Sequence, residues 1–374
     1  MRFFRSAKTE KEVDNKRFIV DVYRGLLGRE PDEGGLGHFS KLLRSGGLDR
    51  AGLMSAILSS NEFDSRVTTC SVQRGNGPHG CLRSEAEAVF GHFQKYEGPG
   101  SPGFVTNFLG GLTDVRFVNG IEALSGVVEG YPIPGNFHGD TLEWVGTLCS
   151  ALEADKSFTM LELGAGWAPW CVIGYLAAKQ RDIGRIKVIG IEGDAGHVTF
   201  IRENFASNGI DPGSGEAVYG VVGVTDGEAL FPKARDASRV YGGCAAFSET
   251  EQTEGVFAEF AASQAALVEE VGRLPCFSLA TLMQRFDQVD LIHCDIQGGE
   301  ATLFADKIEL VSDKVKRVVV GTHSFEIDRH LSCLFAQHGW ILEGINACVM
   351  IERDGKPVLI HDGAQVWKNG GRKW

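Results

Sequence analysis

The chain has no run of Lys and Arg beyond scattered pairs, no Cys-x-x-Cys pair, and no stretch near the roughly 18 apolar residues of a membrane-spanning helix. Each absence excludes something. With 37 Lys and Arg against 49 Asp and Glu, for a formal charge of -12, it lacks the basic footprint that a nucleic-acid partner requires. Its nine cysteines are scattered from Cys70 to Cys348 and odd in number, which suits free thiols in a reducing compartment rather than a disulfide framework. The segment Met1 to Glu10 mixes basic and apolar residues without an apolar run long enough for an export signal, so the expected location is the cytoplasm.

What is present suits two units. A chain of 374 residues that is 43% hydrophobic can bury the core of a full α/β domain and a smaller companion. Residues 1–70 read as a small helical domain. Phe18, Val22, Tyr23, Leu26 and Leu27 recur at helical spacing, Leu36, Phe39, Leu42 and Leu43 begin a second helix, and Leu53, Ile57, Leu58 and Phe63 mark a third. Residues 71–130 read as a linker and a short irregular or β segment. Glycine- and proline-rich clusters flank one amphipathic helix expected over Ser84–Tyr96. From 131 onward, a helix expected over Thr141–Leu152 leads into a strand at 160, and apolar runs at 187–191, 217–224, 289–294, 316–321 and 340–350 follow, mostly separated by helical stretches. That alternation predicts a mainly parallel, doubly wound Rossmann-like sheet, with Asp354-Gly355 as the turn of a closing antiparallel hairpin.

The first strand of that sheet runs Met160-Leu-Glu-Leu-Gly-Ala-Gly-Trp-Ala-Pro-Trp170. Gly164 and Gly166 lack a β-carbon, so the chain can turn sharply and bring backbone N–H groups to a ligand. About thirty residues later Glu192 ends a second strand, where an acid accepts hydrogen bonds from a ribose diol. The position of a third glycine is Ala168, within a bulky, proline-bearing turn that suits a ligand without a pyrophosphate. Glu162, inside the strand, suits an ammonium and would repel a pyrophosphate. These features favour S-adenosylmethionine over a nicotinamide dinucleotide.

Leu161-Glu-Leu-Gly-Ala-Gly166, Ile191-Glu-Gly-Asp194 with His197 and Glu203-Asn204, Leu291-Ile-His-Cys-Asp-Ile-Gln-Gly-Gly-Glu300, and Gly321-Thr-His-Ser324 together resemble the FkbM family of S-adenosylmethionine-dependent methyltransferases. The resemblance implies a class I methyltransferase fold and methyl transfer to a hydroxyl oxygen, on saccharides or glycan precursors. It implies that Glu162, Gly164 and Gly166 hold the methionine part, Glu192 the ribose hydroxyls, and the strand end near Val222 and Gly223 the adenine; Ala165, Trp167, Gly193, Asp194 and Asp295 are further candidates for cofactor binding. Gln297 stands where that family often has a carboxylate. Earlier in the chain, Tyr23-Arg-Gly-Leu-Leu-Gly-Arg-Glu-Pro-Asp-Glu-Gly-Gly-Leu36 with Ile57-Leu-Ser-Ser-Asn-Glu-Phe63 resembles a bacterial helical domain of unknown function, of phycobilisome-linker-like type. That domain recurs beside enzymes acting on surface glycans.

Methyl transfer to a neutral alcohol needs the oxygen aligned and its proton removed. Asp295 ends the fourth main strand, His293 lies two residues earlier on the same face, and His323 follows the fifth strand at the same edge. His323 is the candidate base, with Asp295 orienting it or the substrate and touching the cofactor. The structural alternatives are a helix cap for Asp295, a loop-shaping bond for His323 and a satisfied core ring for His293. His138, Tyr241 and Gln297 are candidates for the acceptor pocket. Asp295, Glu300 and His323 offer ligands for a divalent metal that the spacing does not require. A rival reading from another class keeps the fold as a non-catalytic scaffold or glycan-binding module.

Overall fold

A computed structural model describes residues 7–27, 29–58, 60, 62, 83–248, 250–251, 255–353 and 356–371. Helices α1 (Ala7–Val22), α2 (Glu33–Ser45) and α3 (Arg50–Leu58) form the N-terminal unit, with a π-helical turn at Tyr23–Leu27 after α1. The 33–45 helix begins where Asp32 accepts the amide of Gly35 at 2.6 Å, and it ends at Gly46, in the left-handed region at φ 74°. Arg29 donates to both oxygens of Glu62, the second at 2.7 Å, while its guanidinium lies 5.1 Å from the Tyr23 ring. Arg29 also lies 3.9 Å from Asp32; the closer partner is Glu62. The expected boundary near residue 70 and the glycine-rich stretch through residue 82 lie outside the described residues.

Helix α4 is Arg83–Phe90, followed by β1 (Phe104–Thr106) and β2 (Leu112–Asp114), an antiparallel pair, and by β3 (Gly135–Asn136) and β4 (Gly139–Asp140), a second pair. The 83–90 helix is shorter than expected. It stops before Gly91, whose missing side chain makes helix continuation costly, and Phe93 then turns inward to be buried.

From here the chain alternates: α5 (Thr141–Leu152), β5 (Ser157–Leu163), α6 (Pro169–Gln180), β6 (Arg185–Glu192), α7 (Ala195–Ser207), β7 (Gly215–Tyr219), β8 (Val221–Gly223) and β9 (Gly227–Ala234). There follow α8 (Val256–Ser263), β10 (Val268–Ser278), α9 (Leu279–Met283), β11 (Val289–Cys294), α10 (Glu300–Lys314), β12 (Val315–Thr322) and α11 (Phe325–Gln337). Strands β13 (Trp340–Asn346), β14 (Val349–Arg353), β15 (Lys356–His361) and β16 (Gly363–Asn369) complete the chain.

The main sheet has the order β13-β16-β12-β11-β5-β6-β7. Six strands run in one direction, β12, β11, β5, β6 and β7 as parallel neighbours, and β16 lies antiparallel between β12 and β13. The antiparallel closure that the sequence predicts is present, with one correction. The pair around Asp354-Gly355 is β14 with β15, a separate hairpin between β13 and β16, and its turn residues lie outside the described set. Strand order reverses between β5 and β11, which opens a crevice at their carboxyl ends.

Side chains alternate between two layers. Leu161, Leu163, Ile292, Cys294, Val318 and Val320 pack into one core, whereas Met160, Leu291 and Val319 pack into the other with Trp144, Trp170 and Ile173. The parallel strands are apolar on both faces because helices cover both. The first core does not stop at the sheet. Phe18, Ile19, Val22, Leu26, Leu53 and Met54 join it beside Phe335 and Trp340, so the N-terminal helices pack on the β13 edge through the 325–337 helix. Each such Ile or Leu, fully buried, contributes about 1.5–3 kcal/mol of transfer free energy.

A smaller three-stranded sheet, β8-β10-β9, flanks the crevice. No helix among the described residues is long and apolar enough to cross a membrane, and the seven described cysteines are free thiols.

Candidate active site

The site begins at the turn after the 157–163 strand. Gly164 has φ 74° and Gly166 φ 54°, and a β-carbon on Gly164 would fall 1.8 Å from the carbonyl oxygen of Asp295. Only glycine fits there, because the chain leaving the neighbouring 289–294 strand passes against it. Ala168 also occupies the left-handed region, at φ 57° and ψ 51°, and no side chain caps the helix that follows.

Glu162 does that work instead. It is 2% exposed and accepts the amides of Trp170 at 3.3 Å and Cys171 at 2.6 Å. Burial raises its carboxyl to about 7, against the lowering effect of His293 and those two amides. The sequence gives this carboxylate to a cofactor ammonium. The structure commits both oxygens to the start of the 169–180 helix, although the residue still lines the crevice.

Glu192 pins the turn from the other side. Its carboxylate accepts the amide of Gly166 at 2.8 Å and that of Asp194 at 2.7 Å, and it stays accessible from both halves of the crevice. Two of roughly four lone-pair positions are thus filled, which leaves acceptors for a diol. Asp194 also lines the second half of the crevice. Its side chain caps the 195–207 helix, accepting from Gly196 at 2.8 Å and His197 at 3.1 Å, and also accepts from Ala234 at 3.0 Å. Asn204 donates to the carbonyl of Trp167 at 2.9 Å and fixes the far end of the turn.

The crevice consists of two adjoining cavities. The first, of about 480 Å3, is lined by Ile191, Gly193, Val222, Gly223, Phe247 and Leu303. The second, of about 390 Å3, is lined by Ala165, Trp167, Trp170, Tyr241, His293 and Asp362. Gly164, Glu192, Phe231, Gly243, Asp295 and Gln297 border both. Trp167 and Trp170 wall the second cavity without filling it. His138 lies on this wall too, with Nε2 3.0 Å from Thr113 Oγ1, and burial lowers its pKa to about 3. The Asn136–Asp140 segment is a packed connector. Asp140 and Glu143 form a capping box at the start of the 141–152 helix. Tyr241 stacks on His197 at 4.4 Å and donates its hydroxyl to the carbonyl of Phe117 at 2.6 Å.

At the far end lie two histidines with opposite electrostatics. His293 is 2% exposed and stacks on Trp170 at 4.8 Å, with Nε2 3.3 Å from Glu143 Oε1 and no aligned hydrogen bond. Burial lowers its pKa to about 4, outweighing Glu162 and Asp295, so the ring is neutral at pH 7. His323 has Nε2 3.2 Å from Asp295 Oδ1 and Nδ1 3.3 Å from Glu300 Oε1. Burial would lower its pKa too, but the two carboxylates prevail and raise it to about 11. In these surroundings His323 is a cation, without the lone pair that the role of base requires; this revises the role expected from sequence. Asp295 is held below the usual carboxylate range, His323 overcoming the effect of burial. Gln297, in the left-handed region at φ 60°, donates to Asp295 Oδ1 at 2.6 Å.

Sequence reasoning missed Glu143 and Asp362. Glu143 carried a signal, the Asp-x-x-Glu spacing of a capping box at Asp140. Burial and then Asp140 raise its carboxyl well above the usual range. Asp362, just before the last strand, carried none.

Residues 2–67 match a domain of unknown function, DUF4214. Among solved structures the chain is similar to the C-terminal domain of precorrin-6Y C5,15-methyltransferase from Rhodobacter capsulatus, at 15% identity and a TM-score of 0.33, covering 63% of this chain and 90% of that one. It is also similar to precorrin 8w decarboxylase from Methanobacterium thermoautotrophicum, at 10% identity and a TM-score of 0.34, covering 62% and 90%. In sequence it is similar to a protein of Jannaschia sp. (strain CCS1) named "Putative methyltransferase", with 33% identity over 278 residues, 74% of this chain and 96% of the relative. At that identity and coverage, the chain belongs to the methyltransferase family of this relative.

Proposed function

We propose that the protein is an S-adenosylmethionine-dependent O-methyltransferase of FkbM type, acting on a hydroxyl of a saccharide or glycan precursor. The observation that carries this reading is the pair of cavities joined across the glycine turn, with Glu192 reachable from both. The first cavity suits adenine, its walls including Val222, Gly223 and Phe247. Glu192 has acceptors left for the ribose, and the turn at Gly164–Gly166 suits the methionine part. The second cavity suits the acceptor. Trp167 and Tyr241 offer flat faces to a sugar ring, and His138 and Gln297 offer polar edges.

In the reaction, an acceptor oxygen forms a bond to the methyl carbon as the carbon–sulfur bond breaks. The bonding pair stays on sulfur, leaving S-adenosylhomocysteine. The hydroxyl proton needs an acceptor with a free lone pair, which a histidine offers only when neutral. His293 is the ring in that state, and Asp295 stands beside it at the strand end to orient the hydroxyl. His323 contributes positive charge that holds Asp295 ionised.

Calorimetry with S-adenosylhomocysteine, followed by labelled-methyl transfer to a saccharide panel, tests the reading. We expect micromolar binding that weakens by about thirtyfold or more in Glu192→Ala, a loss of roughly 2 kcal/mol. Absence of binding at about 1 mM ligand would leave the scaffold reading in its place.

A further inference from the structure

Beyond the methyl donor, the geometry points to a divalent-cation site at the carboxyl edge of the sheet, formed by Asp295, Glu300 and His323. One ligand atom from each lies within 4.8 Å of the other two. Atoms bound to one ion at about 2.1–2.4 Å lie roughly 3.0–3.4 Å apart when adjacent and up to about 4.8 Å when opposite. The 3.2 Å between His323 Nε2 and Asp295 Oδ1 is an adjacent spacing.

The cluster alone would be an ordinary ion pair. A second observation points to a ligand. The His323 side chain is only 10% exposed, yet neither of its ring nitrogens makes an aligned hydrogen bond, even with carboxylate oxygens 3.2 Å and 3.3 Å away. A buried imidazole costs free energy when its nitrogens are left unsatisfied. A divalent cation seated among the three groups takes the place of one His323 proton and satisfies that nitrogen.

The pocket also has the asymmetry of a site that works on a ligand. Glu300 is fully buried and further fixed by the amides of Ile296 at 3.0 Å and Gly298 at 3.1 Å. Asp295 is 42% exposed and opens onto the crevice. Asp362, 4.0 Å from His323 Nε2, is at water-bridged range. The ion is therefore held from behind, with coordination positions free on the acceptor side.

Two carboxylates and one imidazole balance a divalent charge and favour an oxygen-preferring ion such as Mn2+ or Mg2+. Its free positions suit an acceptor with two neighbouring oxygens, such as a vicinal diol. That last step rests on the methyl-transfer reading; the cation site does not.

The test is titration of the full chain with Mn2+, followed by electron paramagnetic resonance and calorimetry, with Mg2+ as competitor. We expect one saturable site per chain, with pulsed spectra showing coupling to a single imidazole nitrogen. Asp295→Asn and His323→Gln should each weaken Mn2+ by about tenfold or more at unchanged circular dichroism. No saturable binding up to about 5 mM, no nitrogen coupling, or equal affinity in both folded variants overturns the site. If the variants do not fold, the nitrogen coupling in the unaltered protein decides alone. S-adenosylhomocysteine calorimetry on the same preparation separates the two ideas. Mn2+ binding without it leaves the cation site standing and removes the methyl-transfer reading, and the reverse removes only the cation.

Discussion

The two sides of the crevice treat buried polar groups in opposite ways. On the β5–β6 side, Glu162, Glu192 and Asp194 have their carboxylates occupied by backbone amides, so each oxygen that could have faced a ligand freely is first a fastener of the chain. On the β11–β12 side, Nε2 of His293 and both nitrogens of His323 are buried without aligned partners. The carboxylates of the first side are satisfied, although the buried indole N–H of Trp167 is not, while the histidines of the other side hold unspent hydrogen-bonding capacity in a low-dielectric setting where it is costly to leave idle. Under the proposed function, the difference separates holding a cofactor from acting on an acceptor.

The largest effect that could break this contrast is at the seam. Gly164→Ala forces a β-carbon against the Asp295 carbonyl and should cost more than about 3 kcal/mol, read as lost soluble yield or a strongly lowered melting temperature. A normal melt would mean that the two sides are less tightly joined than described. Next, His293→Ala should reduce turnover by about a hundredfold or more while S-adenosylhomocysteine affinity stays within about threefold. If His323→Ala abolishes turnover and His293→Ala does not, the assignment of the neutral ring is wrong.

A smaller effect concerns pH. His138 is held neutral, its pKa lowered from 6.5 to about 3, so its contribution to stability is complete above about 6.5 and declines as pH falls toward 3. Melting temperature should therefore fall on acidification, and His138→Gln should make the fall shallower between pH 6.5 and 4. An unchanged slope would show that the ring does not resist protonation. The smallest effect is at Ala168. Glycine relieves the left-handed strain at a small entropic cost, and Ala168→Gly should change stability by no more than about 1 kcal/mol, with cofactor affinity intact. A larger loss in calorimetry would make the Ala168 methyl group part of the cofactor wall.

Features set by local pattern were legible in the sequence. The 141–152 helix and the 289–294 strand fall at the expected residues, because the first carries a capping box and the second an apolar run between polar ends. The glycine turn was readable because both its glycines need positive φ. Properties that depend on residues distant in the chain were not. The charge on His323 is set by Glu300, more than twenty positions away, and by Asp295, across a strand pair. The employment of Glu162 is set by a helix that begins after it. The core that the helical unit shares with the sheet edge was not legible for the same reason, since amphipathic spacing shows which face is buried but not against what.

That shared core has a consequence for the N-terminal helices. Ile19 and Leu26 lie in the same apolar cluster as Phe335 and Trp340, so the unit is anchored to the sheet edge rather than carried on a tether. The outward surface of these helices is thereby held at a set heading and span from the crevice, as on a bracket.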